Sequence, residues 1–171
     1  MLTSVKRKAF HAKGHRFAIV ASRYNARYVD AMVRAAQDEL RDAGTEKVET
    51  IRVPGAYEIP VVVAQLARSG QMQGGTPSAI ICLGVILRGE TAHATHIGEA
   101  VSRGLMEIQL QSGVPVIHEV LLLENEAQAR ARCLNRQHNR GTEAAQTALA
   151  MAEVMTRLRL RSGLPGAAKL D

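Results

Sequence analysis

The sequence predicts one α/β domain: a doubly wound parallel sheet with helices on both of its faces. Three observations lead to this fold class. Short aliphatic runs alternate along the chain with longer segments whose apolar residues recur at helical spacing. The central run, SAIICLGVIL at residues 78–87, has no polar alternation, which is typical of a strand buried on both faces. The repeated order of strand, helix and strand is that of a parallel sheet whose crossovers are helices.

Each predicted element is bounded by residues that start or stop it. The strands are the aliphatic runs at residues 16–22, 47–53, 78–87 and 114–123. The helices have apolar residues every three or four positions and span residues 26–43, 60–70, 93–112, 124–136 and 142–161. Gly44 and Gly113 stand just after helices, where a left-handed residue ends them. Pro60 suits a first helical turn, and Thr91 is a candidate N-cap.

The length and composition are those of a single globular domain. The 171 residues suffice for one core, and 46% hydrophobic with only 3% aromatic residues predicts an aliphatic core. We expect a basic, flexible arm at residues 1–15, the domain at 16–161 and a loose tail at 162–171. The basic residues behind the formal charge of +6 cluster in the two ends, which favours solvated termini over a nucleic-acid partner.

The two cysteines and the apolar runs bear on localisation. Cys82 and Cys133 have neither metal-binding nor disulfide spacing, so both are predicted to be reduced thiols of a cytoplasmic protein. No apolar run reaches the roughly 18 residues that a membrane span needs. The basic N-terminus also lacks the apolar stretch of a secretion signal. We therefore expect no membrane partner.

The junction after the central strand carries the strongest functional signal. The strand breaks at Arg88 and Gly89, and a helix follows with His93 near its start. Such a junction lies at the carboxyl edge of a parallel sheet, where ligands bind, and the N–H groups of a helix N-terminus favour an anion. An imidazole beside an anion is suited to general acid–base catalysis near neutral pH. The residues thus predict a phosphate site with an acid–base group.

Two other interpretations of this junction stay open from the residues alone. The glycines of GVILRG, residues 84–89, have the spacing of a P-loop, although Glu90 replaces the lysine that neutralises the phosphates. His93, His96 and Glu99 share one helix face and are candidate metal ligands, although no second pair of ligands stands elsewhere in the sequence. Only the phosphate site uses every part of the motif, so no metal is predicted.

Four motifs, taken in order, carry a resemblance to a known family. They are GAYEIP at residues 55–60, GVILRGETAH at 84–93, GVPV at 113–116 and NRGTEAA at 139–145. Together they resemble the 6,7-dimethyl-8-ribityllumazine synthase family over about residues 17–158, in the right order and spacing. The linked set makes the resemblance specific, whereas a single motif would not.

The resemblance implies a fold, a reaction and an assembly. The implied fold is a flavodoxin-like three-layer α/β/α sandwich with a four-stranded parallel sheet. The implied reaction, in riboflavin biosynthesis, condenses 5-amino-6-ribitylaminouracil with 3,4-dihydroxy-2-butanone 4-phosphate and releases phosphate and water, without a cofactor. The implied assembly is a homopentamer, in some members packed into an icosahedral 60-mer, with active sites between neighbouring subunits. Association with riboflavin synthase is a further expectation.

The resemblance also implies roles for individual residues. His93 matches the family's general acid–base residue. The implied substrate-binding residues are Tyr24, Ala56, Tyr57, Glu58, Val85, Ile86, Leu87 and His118. The implied phosphate-binding residues are Gly89, Glu90, Thr91 and Arg132. Arg140 aligns with a basic residue near the site of the neighbouring subunit.

Several residues depart from the family's usual pattern. His118 stands where an aromatic residue, commonly Phe, is usual, and Glu119 stands where Gly is common. Leu122-Leu123 replaces polar residues, and Ala94-Thr95 replaces the aromatic and Asp residues that usually follow the histidine. These departures concern the substrate pocket more than the fold. The alternative function is a catalytically weak homologue that binds ribityl-lumazine or flavin-like ligands, or an assembly protein.

Overall fold

The computed structural model describes residues 12–45, 48–69 and 75–161, and within these ranges four strands form one parallel sheet. The strands are β1 (Phe17–Ser22), β2 (Val48–Val53), β3 (Ala79–Leu87) and β4 (Val116–Leu123). They lie in the order β2-β1-β3-β4, and all three pairings are parallel. The first seven residues of β3 are buried, as its unbroken aliphatic sequence predicts.

The same ranges contain five α-helices and one π-helical turn. The helices are α1 (Ala26–Asp42), α2 (Ile59–Ser69), α3 (His93–Ser112), α4 (Glu126–Ala129) and α5 (Arg140–Arg161). The π-helical turn (Arg130–Leu134) follows α4 directly.

The helices form two layers because side chains along a strand point alternately to the two faces of the sheet. Ile19 of β1 lies in one buried cluster with Met32 of α1 and Ala148 of α5. Its neighbour Val20 lies in the opposite cluster, with Leu105 of α3 and the apolar face of α2. The predicted three-layer α/β/α sandwich is therefore confirmed, with its parallel sheet between two apolar cores.

The order of the strands opens a crevice between β1 and β3. From β1 the chain crosses to β2 on one side, and from β2 it crosses to β3 on the other side of β1. The connections that leave the carboxyl ends of β1 and β3 therefore diverge. In open α/β sheets, ligands bind at such a switch point.

The ends of the helices agree with the sequence analysis in two places and differ in one. Gly44 and Gly113 follow α1 and α3 with left-handed φ angles of 87° and 68°, as predicted. The predicted N-cap at Thr91 is wrong, because α3 starts one residue later. Its N-cap is Ala92, whose carbonyl accepts the N–H of His96 at 3.1 Å, and no side chain caps the helix.

The helix predicted at residues 124–136 is present over Glu126–Leu134, as the short α4 followed directly by the π-helical turn. Asn139 joins this segment to the next helix. Its Nδ2 donates to the carbonyl of Cys133, and its Oδ1 accepts the N–H of Gly141 at 2.8 Å. As a result α5 begins at Arg140, two residues before its predicted start.

The P-loop interpretation is wrong because no loop separates its two glycines. Residues 84–87 belong to β3, and only residues 88 and 89 leave the strand. Gly84 is buried, and a Cβ there would lie 3.1 Å from the side chain of Val120. This glycine therefore allows close packing between neighbouring strands and does not cradle a phosphate.

The two ends of the chain lie mostly outside the described residues. Residues 1–11 of the predicted arm, the predicted tail at 162–171, and residues 47 and 70 at the ends of predicted elements fall outside those ranges. Ala12 is buried, and its N–H donates to the carbonyl of Ala43 at 2.8 Å. His15 Nδ1 lies 3.2 Å from Ser78 Oγ. Ala12 and His15, both assigned to the arm, thus contact the domain, while the domain limits stay a prediction.

Candidate active site

A cleft of about 860 Å³ opens at the carboxyl edge of the sheet, between β1 and β3. Four segments form it: the turn after β1, the turn after β2, the end of β3 and the first two turns of α3. Its lining residues are Tyr24, Asn25, Gly55, Ala56, Tyr57, Glu58, Val85, Ile86, Leu87, His93, His96, Ile97 and Ala100. All four segments meet here because the carboxyl ends of parallel strands share one edge.

Eight of the predicted site residues line this cleft, although they come from separate parts of the sequence. They are Tyr24, Ala56, Tyr57, Glu58, Val85, Ile86, Leu87 and His93. His93 is the first residue of α3, and its side chain is exposed. The structure places these residues side by side, and their individual roles stay predictions.

The turns after β1 and β2 are held against each other by hydrogen bonds. The N–H groups of Arg23 and Tyr24 both donate to the carbonyl of Pro54, at 3.1 and 3.2 Å. Glu58 Oε2 closes the second turn by accepting the N–H of Gly55 at 2.8 Å. A Cβ at Gly55 would lie 2.9 Å from that oxygen and 3.2 Å from the ring of Tyr24. Glycine is therefore needed for the aromatic ring to lie over this turn.

Asn25 is a cleft residue that the sequence analysis did not identify. Its backbone is left-handed, with φ 55° and ψ 40°, at the N-cap position of α1. Its side chain does not cap the helix, and Nδ2 donates instead to the carbonyl of Val85 at 2.7 Å. This bond ties the turn after β1 to the end of β3. The available signal was the residue type, since Asn adopts the left-handed region more readily than most residues.

Replacing Asn25 with alanine is expected to lower the free energy of unfolding by about 2 kcal/mol, because the side-chain hydrogen bond is lost and alanine tolerates this left-handed φ less well than asparagine. Asn25→Gly is the matched control. It loses the same hydrogen bond without the strain, so about 1 kcal/mol is expected. Urea denaturation at equal protein concentration measures both losses. Equal losses in the two variants would show that the backbone conformation contributes nothing.

His96 is a second imidazole in the cleft, and its place there was also not predicted. The sequence analysis considered it only as a metal ligand. It lies three residues after His93 on α3, so the two side chains are neighbours on one helix face. Glu99 does not line the cleft, and among the described residues no three His, Cys, Asp or Glu side chains are grouped to hold a metal ion. The three candidate ligands therefore do not converge.

The predicted phosphate turn, residues 89–91, connects β3 to α3 at the rim of the cleft. All three of its residues are exposed. The residue before them is anchored: the N–H of Arg88 donates to the carbonyl of Leu123 at 2.8 Å, and its Nε lies 3.0 Å from Glu124 Oε2. The turn thus leaves a fixed strand end and lies in solvent beside His93.

Besides residues 89–91, three predicted site residues are not among those that line the cleft, and they lie on or beside the edge strand β4. His118, the third residue of β4, is exposed, and its Nε2 lies 2.9 Å from Ser102 Oγ. Arg132 belongs to the π-helical turn, and Arg140 begins α5. Because β4 lies on the far side of β3 from β1, one chain does not bring these residues together with the turn after β1.

Arg140 belongs to a group of charged side chains between β4 and α5. Its Nη1 lies 2.5 Å from Glu143 Oε2 and 4.0 Å from Glu119 Oε1. The pKa of Glu119 is raised to about 7, chiefly by burial; Arg140 lowers it, Glu143 raises it and Arg132 lowers it to smaller extents. We call Glu119, Arg132, Arg140 and Glu143 the β4–α5 charge cluster. The sequence analysis noted Glu119 only as a departure from the family, and an acidic residue amid the aliphatic residues of a strand was the available signal.

A further observation concerns the two cysteines. Cys82 and Cys133 are both free, as predicted, and burial raises the pKa of each thiol. They are therefore inert at neutral pH.

In the ranges that the structure describes, no helix has the length and apolar character to span a membrane.

Known proteins resemble this chain over most of its length. The family model of 6,7-dimethyl-8-ribityllumazine synthase matches residues 14–156. The 6,7-dimethyl-8-ribityllumazine synthase of Xanthomonas oryzae pv. oryzae (strain PXO99A) is 44% identical over 142 residues, 82% of this chain and 89% of that protein. The one of Xylella fastidiosa (strain M12) is 42% identical over 147 residues, 85% of this chain and 92% of that protein. This chain therefore belongs to the 6,7-dimethyl-8-ribityllumazine synthase family.

Proposed function

We propose that this protein is a transferase of riboflavin biosynthesis that forms 6,7-dimethyl-8-ribityllumazine. Its substrates are 5-amino-6-ribitylaminouracil and 3,4-dihydroxy-2-butanone 4-phosphate, and it releases phosphate and water. One observation carries the proposal. In this member of the family, one cleft is lined by eight of the residues that the family resemblance implies for the site, and His93 is one of them.

His93 supplies the acid–base chemistry. Imine formation, phosphate elimination and ring closure each require proton transfer near neutral pH, which imidazole performs well. His93 reaches the cleft from the first turn of α3, so a ring nitrogen can exchange a proton with a substrate bound there. The cleft also holds the two substrates side by side, which supplies a further part of the rate.

The pyrimidine substrate binds between the turns after β1 and β2 and the end of β3. Tyr24 is 72% exposed and offers the face of its ring for stacking on the heterocycle. Residues 85–87 offer backbone groups to the edge of the pyrimidine ring. One oxygen of Glu58 is bonded to the N–H of Gly55, and the other oxygen can accept from a ribityl hydroxyl. Ala56 and Tyr57 complete this wall of the cleft.

The phosphate of the second substrate binds at residues 89–91, just before the N-terminus of α3, where backbone N–H groups favour an anion. Arg132 of an adjoining subunit is its further ligand. His118, Arg132 and Arg140 lie away from the cleft of their own chain, so they complete the cleft of a neighbour. The active site then lies between two subunits.

We propose a homopentamer as the assembly that forms this shared site. Val61 of α2 and Met106 and Leu110 of α3 are 69%, 54% and 74% exposed. Such apolar side chains on neighbouring helices are what a subunit interface would cover. Static light scattering distinguishes a pentamer from an icosahedral 60-mer, and co-sedimentation tests association with riboflavin synthase. Because both cysteines are free thiols, we place the reaction in the cytoplasm.

The proposal is tested by incubating the purified protein with both substrates and following the absorbance and fluorescence of the lumazine product. We expect product formation with one phosphate released for each lumazine formed, at a rate well above that of the substrates without protein. Omission of either substrate is the control. Folded, assembled protein that forms no product would contradict the proposal and favour a protein that binds such ligands without turning them over.

A further inference from the structure

The β4–α5 charge cluster contains a carboxyl group, that of Glu119, to which the proposed function assigns no role. The side chains of Glu119 and Arg140 are only 17% and 18% exposed, so their charges interact in a partly desolvated setting. Nη1 of Arg140 faces two carboxylates, Glu143 at 2.5 Å and Glu119 at 4.0 Å. Arg140, which the proposed function places in a neighbour's substrate site, thus already forms ion pairs within its own chain.

Among the described residues, two elements bring titratable groups close enough to Glu119 to interact with it. The π-helical turn provides Arg132 and Cys133, and α5 provides Arg140 and Glu143. The pKa of the Cys133 thiol is raised to about 11, mainly by burial and next by the charge of Glu119, so this thiol is neutral at neutral pH. The charges of the two arginines and the two carboxylates therefore sum to zero when Glu119 is ionised. When Glu119 is protonated, the cluster carries one net positive charge.

We propose that Glu119 is a positioning residue that acts through Arg140 and Arg132 on the phosphate-bearing substrate. This inference rests on the proposed function. The Glu119 carboxylate attracts Arg140 together with Glu143 of the same chain. It therefore competes with the phosphate of the substrate for the two arginines. Protonation of Glu119 removes this competition, so the affinity for the phosphate-bearing substrate rises as the pH falls.

The position of Glu119 limits this effect to one of the two substrates. The pyrimidine substrate meets the turns after β1 and β2, the end of β3 and, as the resemblance implies, His118. None of these belongs to the cluster, and His118 points to the opposite face of β4 from Glu119, toward Ser102 of α3. Glu119 is not among the residues that line the cleft with His93, and we assign it no proton transfer. A change at Glu119 should therefore alter the KM for the phosphorylated substrate and leave kcat and the KM for the pyrimidine nearly unchanged.

The test compares Glu119→Gln with the wild-type protein by steady-state kinetics between about pH 6 and pH 8.5. Above neutral pH we expect Glu119→Gln to lower the KM for the phosphorylated butanone substrate about fivefold, because one competing charge is gone. Toward the acidic end the two proteins should converge. The phosphate of the substrate also titrates near this range, but it does so identically for both proteins, so their KM ratio isolates Glu119.

Two further variants make the test specific. Glu119→Gly, the residue common in the family, should lower the same KM as Glu119→Gln does. Asp42→Asn, an exposed carboxylate at the end of α1, removes the same charge far from the cluster and should leave the KM unchanged. All variants are first compared with the wild type for assembly by light scattering.

The outcomes separate this inference from the proposed function. An inactive wild-type protein would refute the proposed function. In that case calorimetric titration with inorganic phosphate still tests the inference, which expects tighter binding by Glu119→Gln above neutral pH. An active wild type whose KM ratio to Glu119→Gln stays near one at every pH would overturn the inference alone. Loss of assembly in both Glu119 variants would also overturn it, because Glu119 would then be a structural residue.

Discussion

Replacing His93 with alanine is expected to lower kcat by about 10²- to 10⁴-fold, because the variant lacks the group that moves protons in each step of the condensation. The KM values for both substrates should change little, since the ring contributes a small part of the cleft's surface. The residual rate comes from holding the substrates together, which the variant still does. Steady-state kinetics with fluorescence detection of the lumazine product measures these changes.

His96→Ala is the matched control for this experiment. His96 lines the same cleft from the same helix, three residues after His93, so its replacement removes a similar volume and the same type of group. We expect a loss of kcat below about tenfold, since no proton transfer is assigned to it. If His96→Ala lost as much rate as His93→Ala, or more, the assignment of the acid–base role to His93 would be wrong.

Replacing Gly141 with alanine is expected to lower the free energy of unfolding by about 3 kcal/mol or more, the range of severe overpacking. A Cβ at Gly141 would lie against the backbone of Met32, 2.6 Å from its carbonyl carbon and 2.7 Å from its Cα. Backbone atoms of α1 cannot rotate away as a side chain would, so α5 must move away from α1. Urea denaturation at a fixed protein concentration measures the loss.

Gly98→Ala tests whether this effect comes from the contact or merely from placing alanine in a helix. Gly98 lies inside α3, and its Cβ would be 3.6 Å from Leu122, an ordinary packing distance. Alanine is the better helix former, so a gain of about 0.5–1 kcal/mol is expected. A loss at Gly98 similar to that at Gly141 would contradict the packing argument.

Much of the fold and of the cleft could be predicted because the signals are local. The aliphatic run that forms β3 indicates burial by itself, and glycine indicates a left-handed helix end, as Gly44 and Gly113 confirm. The rule that parallel strands end at one edge then places the following turns together. The proximity of Tyr24 and His93 could therefore be expected before any coordinates.

The helix ends that differ from the predictions depend on hydrogen bonds that residue types do not specify. Thr91 is a good N-cap residue, yet the carbonyl of Ala92 accepts the first bond of α3. The helix predicted at residues 124–136 ends at Leu134, and α5 begins at Arg140, where the side chain of Asn139 bonds both to the carbonyl of Cys133 and to the N–H of Gly141. Capping propensity is a weak local preference, and such tertiary contacts override it.

The sequence by itself determined the fold class, the order of the elements and the part of the site that follows the ends of β1, β2 and β3. These features depend on periodicity and on turn residues that are close together in the chain. Only the tertiary structure decided that His118, Arg132 and Arg140 lie apart from their own chain's cleft, and that Glu119 faces Arg140. Those arrangements join segments of different elements, and no local pattern encodes the distances between them.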